Sequence, residues 1–279
     1  MNVNSSKLFQ LFKYTVYALL AMNIYWFFVE ERAAALVQFS GGVGIDNVRE
    51  AYSSTIDTLA WVVLLLMFEL ETYVLEDEHI TKPIALSLHG LRILCYVTIT
   101  TMVFGYIDNL IFVNDVLPLA GITDVCALQP AEWSWAIDLD EYTPIAADNC
   151  ASFSTASTFV QFRDVPAIVD AAGHTEIVRL AWVDVINSIA WLLVVIVLEI
   201  DVRLQEHNRY EGLALKASTA AKFVLYSTLL LAAIYWGVKG DFVDFWDAFL
   251  WLVAFVFIEL NVFEWREEEN AALAADAAK

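Results

Sequence analysis

The sequence predicts an all-α polytopic membrane protein whose six transmembrane helices form three helix-hairpin repeats, with a small disulfide-containing insertion on the outer side. Three observations carry this prediction: an apolar composition, six apolar stretches of spanning length, and two motifs that recur in all three hairpins. Hydrophobic residues make up 59% of the 279 residues and charged residues 18%, and the mean hydropathy is +0.60. Typical soluble chains carry about 25% charged residues. The composition therefore argues against an ordinary soluble enzyme, a disordered chain or a nucleic-acid-binding protein.

A helix needs about 20 mostly apolar residues to cross the hydrocarbon core of a bilayer. Six stretches meet this requirement, and we number them spans one to six: Lys7–Val29, Thr55–Leu75, Ile84–Ile107, Val178–Leu198, Lys216–Val238 and Phe245–Phe263. The first stretch has basic residues near an apolar run, as a signal peptide does. Because the run is longer than a signal peptide requires and belongs to a repeat, we expect it to be a transmembrane helix.

The basic residues predict the orientation, because Lys and Arg are enriched on the cytoplasmic side. With the N-terminus inside, ten of the 15 basic residues lie at inner positions and five at outer positions. Three of the ten lie within spans (Lys13, Arg92 and Lys222). Without them, seven basic residues lie at inner positions and five at outer positions. We therefore expect a multi-pass protein of the bacterial inner (cytoplasmic) membrane with both termini inside.

The cysteines fit this topology. Cys126 and Cys150 both lie in the long connection between spans three and four, whereas Cys95 lies alone in an apolar span. Two loop cysteines on an oxidising outer face can form a disulfide, and closing a loop of about 25 residues contributes roughly 3 kcal/mol. We predict the Cys126–Cys150 bridge and expect Cys95 to be a packing residue.

Two motifs recur in all three hairpins. In the second helix of each hairpin, an Asp or Asn is followed four residues later by Trp, then by Glu and a second polar residue. The three copies are Asp57-x3-Trp61-x7-Glu69-x-Glu71, Asn187-x3-Trp191-x7-Glu199-x-Asp201 and Asp247-x3-Trp251-x7-Glu259-x-Asn261. The first helices share a basic residue and a tyrosine: Lys13-x3-Tyr17, Arg92-x3-Tyr96 and Lys222-x3-Tyr226. Such parallel repeats imply an axis along the membrane normal.

The repeats and the long connection divide the chain into four parts. We expect the first hairpin and third span at 1–107, an outer acidic insertion at 108–177, spans four to six at 178–265 and an inner C-terminal tail at 266–279. Residues 109–176 hold ten acidic residues and one Arg, densest at Asp138-Leu139-Asp140-Glu141. Clustered carboxylates are ligands for Ca²⁺, but this spacing matches no calcium loop, and the interpretation we favour is a solvated acidic face.

Ionisable residues at membrane depth indicate a functional site, with a partner to be identified. At 1.5 Å per residue, the basic residue of each first helix and the Glu of each second helix share a depth near the inner side. Within a hairpin the pairs would be Lys13 with Glu69, Arg92 with Glu199, and Lys222 with Glu259; pairing across hairpins fits the same depths. Asp57, Trp61 and Glu69 fall within about a third of the helix circumference, which gives a polar stripe. Such pairs could fix helix partners or line a polar path.

Other chemistry is sparse in the sequence. Glu76-x-x-His79 is half of a di-iron carboxylate pattern, and Glu206-His207 lies at a comparable inner edge, which leaves a membrane enzyme as a third hypothesis. His174 is a lone outer histidine. We find no phosphate-binding loop, nucleophile elbow or zinc-protease motif. We predict no catalytic residues, no metal site and no cofactor, and we favour a non-enzyme over this third hypothesis.

Two functional hypotheses from different classes rank ahead of the membrane enzyme. The first is an ion or small-solute transport protein whose polar path is lined by intramembrane charges. The second is a non-catalytic subunit or scaffold that docks a protein partner through its outer acidic insertion. The expected partners are the lipid bilayer, such a protein and further copies of the chain; no nucleic acid is expected, because the net charge is −20.

Overall fold

The computed structural model describes residues 3–70, 82–129, 132–156, 158–206 and 212–256. The described chain is mostly helical. Its long helices are α1 (Val3–Gln38), α3 (Ser53–Glu69), α4 (Lys82–Asn114), α6 (Ala171–Glu206) and α7 (Leu213–Lys239). Short helices α2 (Val48–Ala51) and α5 (Cys150–Phe153) lie in the connections, and helix α8 covers the described residues 242–256.

Three helices are long and apolar enough to cross a membrane: Pro83–Asn114 in α4, Ala171–Asp201 in α6 and Leu213–Lys239 in α7. Large apolar side chains stay exposed along them, among them Leu94, Val97 and Leu231, which are 60%, 55% and 67% exposed. Extended apolar surface of this kind requires lipid or a partner in place of water. The chain thus has the features of a helical membrane protein, with three candidate spans among the described residues.

Each predicted span coincides with helix wherever the structure describes it. Spans one, three, four and five lie inside α1, α4, α6 and α7. Residues 71–75 of span two and 257–263 of span six lie outside the described residues. Six crossings and three structural repeats therefore stay predictions.

The all-α assignment is wrong for the connection between spans three and four. Five strands form one sheet here: β1 (Val116–Pro118), β2 (Ser134–Ala136), β3 (Tyr142–Pro144), β4 (Phe159–Phe162) and β5 (Ala167–Asp170). Their order is β1-β4-β5-β2-β3, and all neighbours are antiparallel except β2 and β5. Strands of three or four residues are too short to show the alternation that identifies a strand in sequence.

The sheet packs on both faces, because successive side chains of β5 point to opposite sides. Ala167 and Val169 join a buried cluster with Phe162 of β4 and with the end of α4 and the start of α6. Ile168 between them joins a second cluster with Val125, Ile145 and Cys150. The insertion therefore shares a buried core with the end of α4 and the start of α6.

The chain divides into two compact units. One comprises residues 1–23 together with 226–279, and the other comprises residues 24–225. The second unit contains the sheet, α3, α4 and α6. Within it α4 packs against both α3 and α6.

Candidate functional site

The N-terminus of α3 is capped by a side chain from another helix. The preceding residue, Tyr52, makes no side-chain cap. Instead the Glu31 carboxylate of α1 accepts hydrogen bonds from the backbone N–H groups of Ser54 and Thr55, at 2.6 and 3.0 Å. The first N–H groups of a helix have no partner within it. Glu31, which is only 6% exposed, therefore ties α1 to the start of α3.

Next to this cap lies a cavity of about 30 Å³, enough for one or two water molecules. We call it the outer acidic cavity. Helices α1, α2, α3, α4 and α6 and the connection between β2 and β3 all contribute to its walls. Four lining residues carry carboxyl groups: Glu31, Glu50, Asp140 and Asp184. Polar lining also comes from Gln38, Ser53, Tyr106 and Asn109.

The charges around the cavity are predominantly negative. The guanidinium of Arg49 forms an ion pair with Asp108, so its charge is shared with a carboxylate outside the lining. Burial raises the pKa of Glu50, and the negative charge of Asp108 raises it further while Arg49 lowers it. The excess of carboxylates favours a cation or a proton in the cavity.

Glu31 lies beyond the predicted end of span one, and its pKa also responds to this environment. Burial raises its pKa from 4.5 to about 7, against the hydrogen bonds from Thr55 and Ser54, which lower it. A carboxyl group with such a pKa exchanges a proton near neutral pH.

Two further contacts organise the wall. The hydroxyl of Tyr106 on α4 points to Asp57 on α3, with 3.5 Å between the oxygens. Asn109, one turn along α4, donates its side-chain amide to the hydroxyl of Ser53 at 3.2 Å. The polar position of the first repeat motif, Asp57, thus lies beside a residue that lines the cavity.

Two residues of the acidic stretch Asp138–Glu141, Leu139 and Asp140, line the cavity. The stretch forms the turn between β2 and β3, in which the Asp138 carboxylate accepts the N–H groups of Asp140 and Glu141 at 3.3 and 2.9 Å. Burial raises the pKa of Asp138, and burial together with Asp138 raises that of Glu141. The densest acidic stretch of the insertion is therefore half-buried at its Asp138 end. Among described residues, no three His, Cys, Asp or Glu side chains are grouped as metal ligands.

The tryptophans of the repeat motif are buried. Trp61 and Trp191 contact each other with 6.1 Å between ring centroids, and Trp251, in the other unit, is 5% exposed. In the third copy of the motif, the spacing of four residues between Asp and Trp has a physical reason. The Trp251 indole donates a hydrogen bond to Asp247, one helical turn earlier. Asp247 also accepts a hydrogen bond from the Asn23 amide at 2.8 Å.

Of the charged residues predicted to pair within the membrane, Lys222 and Glu199 form ion pairs that the structure describes. Lys222 Nζ lies 3.1 Å from Asp201 Oδ2, which also accepts a hydrogen bond from Ser218. Lys222 therefore contacts the second acidic position of the preceding motif. Glu199 pairs with Arg203 one turn later on its own helix, and both side chains are at least half exposed.

For the remaining predicted inner residues, the structure gives the burial of three, and the others lie outside the described residues. Lys13 and Glu69, which belong to different units, are buried at 2% and 5% exposure, and Arg92 is half-buried. Other predicted positions lie outside the described residues: Glu71, Glu76, His79, His207, Glu259, Asn261 and the tail at 266–279. Asn187, the polar position of the second motif, is half-buried on α6.

The cysteine predictions are confirmed. Cys126 and Cys150 form a disulfide, and Cys95 is a buried free thiol on α4. The lone outer histidine, His174, contacts the main-chain oxygen of Val113 through Nε2 at 2.8 Å. It thus links the start of α6 to the end of α4.

Sequence reasoning missed the residues that assemble the outer acidic cavity. Glu31, Glu50, Tyr106 and Asp184 come from four helices, and no spacing along the chain links them. One signal was present, because Asp184 is an ionisable residue inside predicted span four. Among the lining residues, only Leu139 and Asp140 belonged to the acidic stretch singled out from the sequence.

No protein-family model, curated protein or solved structure matches the chain.

Proposed function

We propose that this protein moves a small cation across the membrane through a polar path that opens at the outer acidic cavity. The observation that carries the proposal is the grouping of four carboxyl groups around one cavity at the ends of α4 and α6, two helices long enough to span. Carboxylates replace the water lost by a cation that enters a narrow site.

The polar residues that follow the cavity support a path towards the inner side. Tyr106 leads from the cavity to Asp57, and one turn further Trp61 meets Trp191. Glu69 lies deeper on the same helix as Asp57, and on α6 and α7 the Asp201–Lys222 pair lies towards the predicted inner end. We assign the two tryptophans the role of a constriction between the outer carboxylates and the inner charges.

The topology we propose follows the sequence prediction: six spans as three hairpins, both termini inside, in the bacterial inner membrane. The excess of basic residues at inner positions supports it. A disulfide between Cys126 and Cys150 supports an outer, oxidising location for the sheet. Buried tryptophans at the same motif position in three helices support the repeats.

Reconstitution into liposomes tests the transport proposal. Vesicles loaded with dyes for H⁺, Na⁺ or K⁺ should show flux of at least one cation with the wild type. At pH 8, above the Glu31 pKa of about 7, we expect Glu31→Gln and Asp184→Asn to reduce this flux about tenfold or more, because each removes a charge worth more than 1 kcal/mol to a bound cation. Glu176→Gln is the matched control, since Glu176 also lies on α6 and pairs with Arg179 instead.

Two results would contradict transport: wild-type vesicles without flux of any of the three cations, or equal flux in Asp184→Asn and the wild type. Neutralising Glu69 tests the inner part of the path separately. In a transport protein Glu69→Gln reduces flux while the protein remains folded. If Glu69 serves only in packing, Glu69→Gln loses flux only to the extent that its melting temperature falls.

A subunit or scaffold that docks a protein partner is the second candidate. It is favoured by a separate observation: the sheet shares its buried cluster with α4 and α6, so a bound partner would be held firmly by the helices. The chemistry of the insertion suits a partner with a basic surface. This role requires a co-purifying partner whose recovery falls with Glu132→Lys and Asp148→Lys, together with an absence of flux from the wild type.

A further inference from the structure

The turn between β2 and β3 lies over the outer acidic cavity and is fastened to α1. Leu139 and Asp140 of this turn line the cavity. Gln38, at the end of α1, donates its side-chain amide to the main-chain oxygen of Leu139 at 3.2 Å and to the hydroxyl of Tyr142 at 2.9 Å. Among described side chains, Gln38 thus links the wall of the cavity to the segment that covers it.

The chemistry of this link suits a contact that opens. Both hydrogen bonds join neutral groups, and each such bond has a small net strength in water. The turn is closed at its base by its own hydrogen bond, from Ile137 N–H to the Glu141 main-chain oxygen at 2.9 Å. It can therefore move as a unit on the two short strands without losing its internal structure.

Charge opposes the closed position. The turn carries three carboxyl groups, and the cavity beneath it holds more. Facing groups on the other elements are Glu31 of α1, Glu50 of α2, Tyr106 of α4 and Asp184 of α6, with the Arg49–Asp108 pair at the side. Like charges at short range repel where water is scarce. Closure is thus held against this repulsion by the neutral bonds of Gln38, together with the packing of Leu139 and Tyr142 against the buried cluster.

We propose that the β2–β3 turn is a lid over the outer acidic cavity and that Gln38 is the latch that holds it shut. The lid would control access of the cation from the outer side. In this respect the inference rests on the proposed transport function, but the lid is a property of the fold that can be measured without flux.

The test is the accessibility of a cysteine placed beneath the lid. Ala34 lines the cavity on α1 and is 3% exposed. In the full chain with Cys95→Ala, the Ala34→Cys thiol is labelled with a charged methanethiosulfonate reagent in membranes. We expect slow labelling with the latch intact and labelling about tenfold faster with Gln38→Ala, which removes both bonds.

A milder variant keeps the test valid if Gln38→Ala fails to fold. Tyr142→Phe removes one bond of the latch and should accelerate labelling about threefold. Gln161→Ala is the matched control, because the Gln161 amide also donates to a main-chain oxygen of the insertion, that of Val165, away from the turn. It should leave the labelling rate unchanged. In chains that keep Ala34 and the native Cys95, Cys95 reports general loosening, and it should stay unlabelled with each of the three substitutions.

Three results would overturn the lid: rapid labelling with the latch intact, unchanged rates in both latch variants, or equal acceleration by Gln161→Ala. Failure of the transport proposal gives a different pattern. In that case labelling depends on the latch as expected, while wild-type vesicles show no flux.

Discussion

The Glu31 carboxylate lies 2.6 Å from the backbone nitrogen of Ser54, so a side chain of α1 caps the first turn of α3. A capping residue ordinarily precedes its helix directly. Here the cap comes from a residue 23 positions earlier in the chain, and it also lines the outer acidic cavity. Helix packing and the chemistry of the cavity therefore depend on one carboxyl group.

This arrangement predicts a pH-dependent stability that Glu31 controls. Burial raises the pKa of Glu31 from 4.5 to about 7. The folded protein thus binds the proton more tightly than the unfolded chain does. The resulting stabilisation is complete below pH 4.5 and is lost as the pH rises through about 7. Its magnitude is on the order of 3 kcal/mol.

Thermal unfolding in detergent between pH 4.5 and 8 measures this effect. The wild-type melting temperature should fall as the pH rises through that window, and Glu31→Gln should flatten the fall because the amide cannot ionise. Glu30→Gln, a change to the adjacent carboxyl group, should retain the wild-type slope. An equal slope in Glu31→Gln and the wild type would contradict the assignment.

The close contact between α4 and the α2–α3 corner predicts a cost for enlarging Gly105. A Cβ atom at Gly105 would lie 2.7 Å from the main-chain oxygen of Arg49 and 3.2 Å from Cβ of Ser53. Gly105→Ala should therefore destabilise the protein by about 1 to 3 kcal/mol, as overpacking does. The measurement is the midpoint of thermal unfolding.

Gly90 provides the control for this prediction on the same helix. Among the described residues, no atom outside the backbone and chain neighbours of the same helix lies within 4 Å of a Cβ placed there. Ala favours a helix over Gly by about 1 kcal/mol. Gly90→Ala should keep or raise the unfolding midpoint. A similar loss in both variants would show that the Gly105 contact is unimportant.

The Lys222–Asp201 pair predicts a large effect of removing one charge. The Asp201 side chain is 3% exposed, whereas Lys222 is 23% exposed. Lys222→Met leaves a buried carboxylate without this counter-ion, which should cost about 3 kcal/mol, the lower end for a broken buried pair because Lys222 retains some contact with solvent. The double variant Lys222→Met with Asp201→Asn should recover much of this loss.

The exposed Arg203–Glu199 pair on α6 is the control for the buried Lys222–Asp201 pair. Arg203 and Glu199 are 72% and 51% exposed, so Arg203→Met should change the stability by no more than about 0.5 kcal/mol. Denaturation of all four proteins in one detergent measures the differences. If Arg203→Met costs as much as Lys222→Met, burial does not set the strength of the pair.

The disulfide predicts a stability that depends on redox conditions and is confined to the insertion. It closes a loop with a sequence separation of 24, and its removal by Cys126→Ala with Cys150→Ala should cost roughly 3 kcal/mol. Limited proteolysis should then cut between the two positions, as it should after reduction of the wild type. Cys95→Ala should leave the cleavage pattern unchanged, and resistance after reduction would contradict the prediction.

The helical regions and the disulfide were predictable because local patterns encode them. A run of apolar residues in span five is sufficient to predict helix α7, and two nearby loop cysteines are sufficient to predict their bridge. The outer acidic cavity was not predictable in the same way. Its residues come together only through the packing of α1, α3, α4 and α6, and a single sequence holds no signal that pairs Glu31 with Ser54.

The pairing of charges shows the same limit. Equal depth along two helices restricts the partners of Lys222 to the acidic residues near its level, but the choice among them depends on how each helix is rotated. The structure places Asp201 rather than Glu199 beside Lys222. A two-residue difference turns a helical side chain by about 200°, which is enough to exchange a contact with a neighbouring helix for an exposed position.

The junction between β5 and α6 has a consequence for biosynthesis. Strand β5 ends at Asp170 and α6 begins at Ala171, so no linker separates the sheet from the helix. Strand β5 is thus the last strand of the sheet to be synthesised, and a candidate membrane segment follows it directly. The sheet therefore cannot be completed before synthesis reaches a helix that is long and apolar enough to cross a membrane, which couples the maturation of the insertion to the second half of the chain.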